Sequence, residues 1–194
     1  MLTTLIFCLF AYCIGSFSSA VIVCRLAGLP DPRTTGSKNP GATNVLRLGG
    51  KKAAVATLLG DALKGVIPVL IALQINPAPE FVGPVMVSVF LGHLYPVFFG
   101  FQGGKGVATA LGAILAMAWP VGLMCVGTWG LVVWCSRFSS LGALVAAALA
   151  PVYAGLWLDI KFAIPVFVMS IFLLWRHRGN IKRLLQGAEP RVGK

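Results

Sequence analysis

Seven apolar runs alternate with short polar breaks along the chain, at about residues 3–24, 53–75, 81–101, 106–119, 121–135, 140–157 and 161–175. A helix needs about 20 apolar residues to cross a hydrocarbon core about 30 Å thick. The first three runs are long enough to do so alone. The fourth and fifth are short and meet at Trp119-Pro120. Proline cannot continue a regular helix, so this junction predicts two tilted short helices or one long kinked span. The first run lacks a basic segment before it, and Arg25 follows it instead. That order predicts an uncleaved first span and not a signal peptide. The expected architecture is an all-α polytopic membrane protein of about seven transmembrane helices, some short, in one domain over residues 1–194.

Three polar islands interrupt this pattern. They cover residues 33–52, 100–106 and 176–191. Irregular backbone survives in a membrane protein only where it lines a polar cavity or reaches water. The islands are therefore where chemistry is expected.

Composition supports the membrane reading. Hydrophobic residues make up 58% of the 194 residues and charged residues only 11%, against roughly 25% charged in soluble domains. The formal net charge is +11, and its placement is informative. If the 25–52 segment lies inside, so do Arg25, Arg33, Lys38, Arg47, Lys51, Lys52, Lys105, Arg137, Arg176, Arg178, Lys182, Arg183, Arg191 and Lys194. Those are fourteen of the sixteen basic residues. The positive-inside rule then predicts seven spans, a periplasmic N-terminus and a cytoplasmic C-terminus, with all three islands on the cytoplasmic face. Nucleic acid is a poor partner for such a chain. Cys8, Cys13, Cys24, Cys125 and Cys135 form no CxxC pair, and His93 and His177 show no metal spacing. Neither disulfides nor a metal site is expected.

The first island, Thr34-Thr35-Gly36-Ser37-Lys38-Asn39-Pro40-Gly41-Ala42-Thr43-Asn44, is dense in hydroxyl and amide side chains. Such residues build turns whose N–H groups form an anion nest. Arg47 adds a bidentate phosphate fork. An ordinary interhelical loop would also carry these turn residues. In the second island, Gly103-Gly104-Lys105-Gly106 opens an apolar helical run. A helix N-terminus favours anions, glycines permit close approach, and Lys105 supplies charge. This is not a Walker A loop, because Phe99 stands where its first glycine is needed and Gly106 where Ser or Thr is needed. A small phosphate-bearing substrate fits better than a nucleotide. His93 precedes the loop, either as a helix–helix hydrogen-bond partner or as a general base or orienting group. In the third island His177 and Asn180 stand at i, i+3 on one helix face, and Ile181, Leu184 and Leu185 form an amphipathic stripe. Asp61 and Lys64, also at i, i+3, lie inside the second run. There they are either a structural ion pair or one wall of a site.

Taken together, GSKNPGATN, GHLYPVFFGFQGGKGVAT, RHRGNIKRLLQGAE and the Asp61-x-x-Lys64-Gly65 segment resemble the bacterial PlsY family of membrane glycerol-3-phosphate acyltransferases. The likeness runs essentially end to end. It implies transfer of a fatty acyl group from acyl phosphate to the sn-1 hydroxyl of glycerol 3-phosphate, giving lysophosphatidic acid and phosphate. That is the first acylation of phospholipid biosynthesis. It implies no cofactor, a place in the bacterial inner membrane, and the soluble acyl-phosphate-forming enzyme PlsX as a partner. Ser37, Arg47, Lys105, His177 and Asn180 match positions that the family uses for activity or phosphate binding. Gly103, Gly104 and Gly106 match its glycerol-phosphate loop, and Glu189 a position tied to structural integrity. The candidate catalytic set is thus Ser37, Arg47, His93, His177 and Asn180. The candidate substrate-binding set is Asn39, Asn44, Gly103, Gly104, Lys105, Gly106 and Thr109, with Asp61, Lys64 and Glu189 structural. Lys38 stands where the family usually has glycine, which weakens any claim that this position needs a left-handed backbone. The competing class is a phosphate or organophosphate transporter. Transporter sites usually sit near the midplane between internal repeats, and this chain shows no repeat.

Overall fold

The computed structural model describes residues 1–192; Gly193 and Lys194 lie outside the described residues. All seven apolar runs are helical, and among the described residues there is no strand. The chain divides into two compact units, with the boundary between Met117 and Ala118. The break falls where Trp119-Pro120 predicted one. Ala118 is extended (φ −154°), and Pro120 sits in the first turn of the next helix, where its missing N–H costs nothing.

The first unit holds α1 (Leu2–Gly15), α2 (Ser19–Leu26), α3 (Ala42–Ile75), α4 (Pro79–Leu94) and α5 (Val107–Met117). Two expectations need correction. The first run is a broken span: α1 stops where the Ser16 hydroxyl and N–H turn back onto the Tyr12 carbonyl, and α2 starts at Ser19. The break exposes the Phe17 carbonyl, and the Lys64 ammonium donates to it at 2.7 Å. The helix of the second apolar run, α3, begins at Ala42, well inside the segment expected to be loop. Gly50, at φ +74°, kinks it between a short first stretch and the apolar part. Arg47 therefore stands on a helical turn.

Close backbone contacts hold these helices. A Cβ on Gly15 would collide with the Val89 carbonyl, and one on Gly92 with the Tyr12 carbonyl, so α1 and α4 touch through backbone. The pair α3–α5 repeats the device, with Gly65 against the Thr109 carbonyl and Gly112 against the Ala62 carbonyl. Lipid is as apolar as leucine, so membrane helices gain by close packing at small residues rather than by burying oil. The buried faces centre on Met86, Phe90 and Leu94 of α4.

The second unit holds α6 (Trp119–Ser136), α7 (Ser139–Trp157), α8 (Ile160–Arg176) and α9 (Arg178–Leu185). Ala143, Ala146, Ala147, Ala150 and Ala154 form the buried face of α7. α9 bends away from α8 by 56° at His177. Beyond it, Glu189 clamps the C-terminal turn. Its carboxylate accepts from the Ser140 hydroxyl at 2.6 Å, from Asn180 Nδ2 at 2.6 Å and from Arg183 Nε at 2.8 Å. Burial alone would raise the Glu189 carboxyl, but these donors favour the charged form and hold it below its ordinary value.

Among the described residues, five helical segments are long and apolar enough to cross a membrane, and α8 with α9 makes a bent sixth. At 11 residues, α5 is shorter than a crossing needs.

Two outcomes test this packing. Gly65→Val or Gly112→Val forces α3 from α5 and should cost about 1–3 kcal/mol of stability, read as a lowered melting temperature in detergent. Glu189→Gln, which sets an amide against Arg183, should cost about 1–3 kcal/mol at neutral pH. Because the folded carboxyl lies below its ordinary 4.5, the wild-type advantage is full above that value. It should shrink as pH falls through the folded value, measured by melting wild type and variant in parallel.

Candidate active site

In the first island the organiser is Asn44. It is 1% exposed. Its Nδ2 donates to the Pro32 and Thr35 carbonyls, both at 3.0 Å, and its Oδ1 accepts from the Ser37 N–H at 3.0 Å. Both amide hydrogens are consumed within the loop, so Asn44 shapes the loop and does not reach for a ligand as expected. Gly36, at φ +66°, leaves the space that this amide fills. Asp31 and Arg33 brace the start of the loop with contacts of 2.6–3.1 Å. Hydrogen bonds from Arg33 hold the Asp31 carboxyl below its ordinary value, and the guanidinium is raised in return. Arg33 also donates to the Phe99 carbonyl at 3.3 Å, which ties the first island to the second.

Lys38 overturns one expectation. Its φ is +55°, so this position does take the left-handed backbone that a glycine would enter freely. The turn demands it, since the Lys38 N–H closes back on the Thr35 carbonyl at 3.2 Å. A non-glycine residue there carries roughly 1–2 kcal/mol of strain. Ser37 and Arg47 are exposed, and among the described residues neither side chain has a partner. Asn39 is half-buried.

The second island packs as bare backbone against the end of α4. Gly103, Gly104 and Gly106 are buried and Lys105 is half-buried. A Cβ on Gly103 would strike the His93 and Leu94 carbonyls. One on Gly104 would strike His93 Nε2 and press on the Pro40 carbonyl, so the two islands adjoin. Gly106 has φ +87°, and a Cβ there would strike the Phe90 ring. The Gly104 N–H donates to the His93 carbonyl at 3.2 Å. Thr109, expected as a ligand, is instead fully buried, with its hydroxyl on the Asp61 carbonyl at 2.9 Å.

Beneath this loop lies an arrangement that sequence spacing did not reveal. Asp61 and Lys64 pair at 2.9 Å, and His93 Nδ1 stands 3.6 Å from the same Asp61 oxygen. A carboxylate and an imidazole 32 positions apart carry no local signature. The only signal was that both interrupt apolar runs. A separate cavity of about 650 Å³ is bounded by Arg25, Asp31, Arg33, Phe98, Phe99 and Gln102. It adjoins both loops without including Ser37, Arg47 or Lys105.

The third island belongs to the second unit. His177 is 3% exposed, with Nδ1 2.8 Å from the Leu173 carbonyl. Asn180 is 6% exposed and is held by Glu189.

Comparisons with known proteins agree on one family. The glycerol-3-phosphate acyltransferase family model matches residues 5–187. A glycerol-3-phosphate acyltransferase of Methylococcus capsulatus is 61% identical over 185 residues, covering 95% of this chain and 93% of the relative. One of Escherichia fergusonii is 52% identical over 184 residues, covering 95% and 89%. The crystal structure of PlsY, an integral membrane glycerol 3-phosphate acyltransferase, in its glycerol 3-phosphate form superposes with a TM-score of 0.94 at 38% identity. It covers 98% of this chain and 96% of that one. The lysophosphatidic acid form of the same protein gives 0.90 at 37% identity, with the same coverage. With a match across nearly its whole length and a shared helical architecture, the chain belongs to the glycerol-3-phosphate acyltransferase family of integral membrane enzymes.

Proposed function

We propose that this chain transfers a fatty acyl group from acyl phosphate to the sn-1 hydroxyl of glycerol 3-phosphate, releasing lysophosphatidic acid and phosphate. The observation that carries the reading is the Gly103–Gly106 loop. It is buried glycine backbone seated on α4, with a half-buried lysine and the exposed Ser37-to-Arg47 segment beside it. Such a loop suits one compact phosphate. The related PlsY is described with glycerol 3-phosphate in one form and lysophosphatidic acid in another, which are the acceptor and product of this reaction.

The chemistry asks little of the protein. An acyl phosphate is already activated. The acceptor oxygen attacks the acyl carbonyl carbon, the carbon–oxygen bond to phosphate breaks, and phosphate leaves carrying the hydroxyl proton. No covalent enzyme intermediate is required. The protein's task is to hold two phosphates and one chain together and to stabilise charge developing on the carbonyl oxygen. Lys105 holds the acceptor phosphate, and the side-chain-free glycine backbone lets it come close. Arg47, with Ser37 and Asn39, holds the donor phosphate. His177 and Asn180 belong to the same set on their motif. The acyl chain enters sideways from the bilayer.

The positive-inside pattern supports the remaining assignments. They are a periplasmic N-terminus and a site on the cytoplasmic face of the inner membrane, within reach of PlsX as the source of acyl phosphate; the reading of one functional domain rests on the single family match over residues 5–187.

Purified protein in liposomes, given palmitoyl phosphate and glycerol 3-phosphate, should form lysophosphatidic acid. If it uses only acyl-CoA or an acyl carrier protein thioester, the donor assignment fails; no product from any donor defeats the enzyme reading. Lys105→Ala should raise the glycerol 3-phosphate KM about tenfold or more while changing the acyl phosphate KM little. Arg47→Ala should do the reverse.

A further inference from the structure

The proposed chemistry leaves two buried charged side chains and a buried imidazole unused. Asp61, Lys64 and His93 are 3%, 6% and 7% exposed. Polar groups at such depth are expensive and are kept where they serve a purpose. The purpose of Lys64 is visible: it neutralises Asp61 at 2.9 Å and satisfies the Phe17 carbonyl at the break between α1 and α2. That ion pair is complete without a histidine.

His93 is held from two sides. Its Nδ1 edge faces the Asp61 carboxylate at 3.6 Å. Its Nε2 lies against the face of Gly104 where a side chain would otherwise stand, with the Pro40 carbonyl beside it. The same residue's carbonyl accepts the Gly104 N–H at 3.2 Å. Asp61 in turn anchors the helix that follows the loop, through the Thr109 hydroxyl on its own carbonyl at 2.9 Å. One residue of α3 and one of α4 thus fix the loop at its middle and at its exit.

We propose that Asp61 and His93 are a positioning pair for the Gly103–Gly106 loop. Asp61 orients the imidazole, and the imidazole and its carbonyl fix the loop backbone in the shape that receives the acceptor phosphate. This rests on the reading of that loop as the glycerol 3-phosphate cradle. Both residues act through the loop and neither needs to touch the substrate. Lys64 is the counter-charge that lets Asp61 remain in the bilayer.

The geometry separates two neutral replacements. Glutamine at 93 places its amide near the Nε2 position against Gly104, whereas asparagine reaches only the Nδ1 position beside Asp61. His93→Asn should therefore raise the glycerol 3-phosphate KM about tenfold or more, with kcat and the acyl phosphate KM little changed, and His93→Gln should restore most of the loss. The double variant Asp61→Asn/Lys64→Met removes both charges together, which avoids stranding one of them. It should show the same selective rise in acceptor KM. In hydrogen exchange, the amides of residues 103–106 should exchange faster in this variant than in wild type. An unchanged acceptor KM in both His93→Asn and the double variant would overturn the pair. So would equal rises for the two substrates, or His93→Gln and His93→Asn behaving alike. A wild-type protein that acylates nothing would defeat the reaction itself. Loop exchange unchanged in the double variant would then defeat the positioning as well.

Discussion

One turn of α3 organises the first unit. Asp61 and Lys64, three residues apart, reach three different parts of the unit. Lys64 satisfies a carbonyl freed by the break in the first span, the Asp61 carbonyl takes the hydroxyl at the start of α5, and the Asp61 carboxylate faces His93 of α4. A charge at the centre of a bilayer costs roughly 2.5–3.5 kcal/mol on insertion scales. Pairing within one helix lowers that cost before any tertiary contact forms, so the helix can enter the membrane with both residues. Once packed, removing either partner alone would leave a buried charge, an effect of about 3–5 kcal/mol. The pair therefore both lowers the cost of insertion and marks the point where the helices are held in register.

Around that point the helices meet backbone to backbone. Gly15 and Gly92 join α1 to α4, and Gly65 and Gly112 join α3 to α5. The Gly103–Gly106 loop extends the same principle from helix packing to the site. It lies so close to the end of α4 that carbonyls and an imidazole edge take the space of side chains. The glycines thus serve two ends. They let the loop sit on a rigid support, and they leave no side chain on its backbone that would keep a ligand at a distance.

Much of this was legible in the sequence. Each apolar run became a helix, the Trp119-Pro120 junction became a break, and the 100–106 island and the first part of the 33–52 island became irregular segments. These features follow from local rules of hydropathy, proline and glycine. What escaped was non-local. Asn44 reads as one more amide in a polar loop, yet its three hydrogen bonds make it the loop's internal frame. The Asp61–His93 approach joins two helices that no spacing rule connects. The start of α3 was misplaced because Arg47, Lys51 and Lys52 look like loop, although a helix reaching into water carries such residues comfortably. Lys38 was misread for a different reason. The turn's hydrogen bonding fixes its left-handed backbone, and the chain accepts the strain.

Under the proposed reaction, that strain bears on how an acyl phosphate donor would be held. Lys38 lies next to Ser37, whose N–H is pinned by Asn44, in a loop closed at one end by the Asp31–Arg33 pair and the Phe99 carbonyl. The turn is thus fixed by contacts on its inner side while Ser37 and Lys38 remain exposed. An acyl phosphate presents a doubly charged head on an apolar tail, so its binding site must order polar groups at the membrane edge before the ligand arrives. Ordering a flexible loop at the moment of binding would cost about 1–2 kcal/mol for each residue fixed. A loop held from within by Asn44 has already met that cost during folding, and a left-handed lysine is a small addition to it.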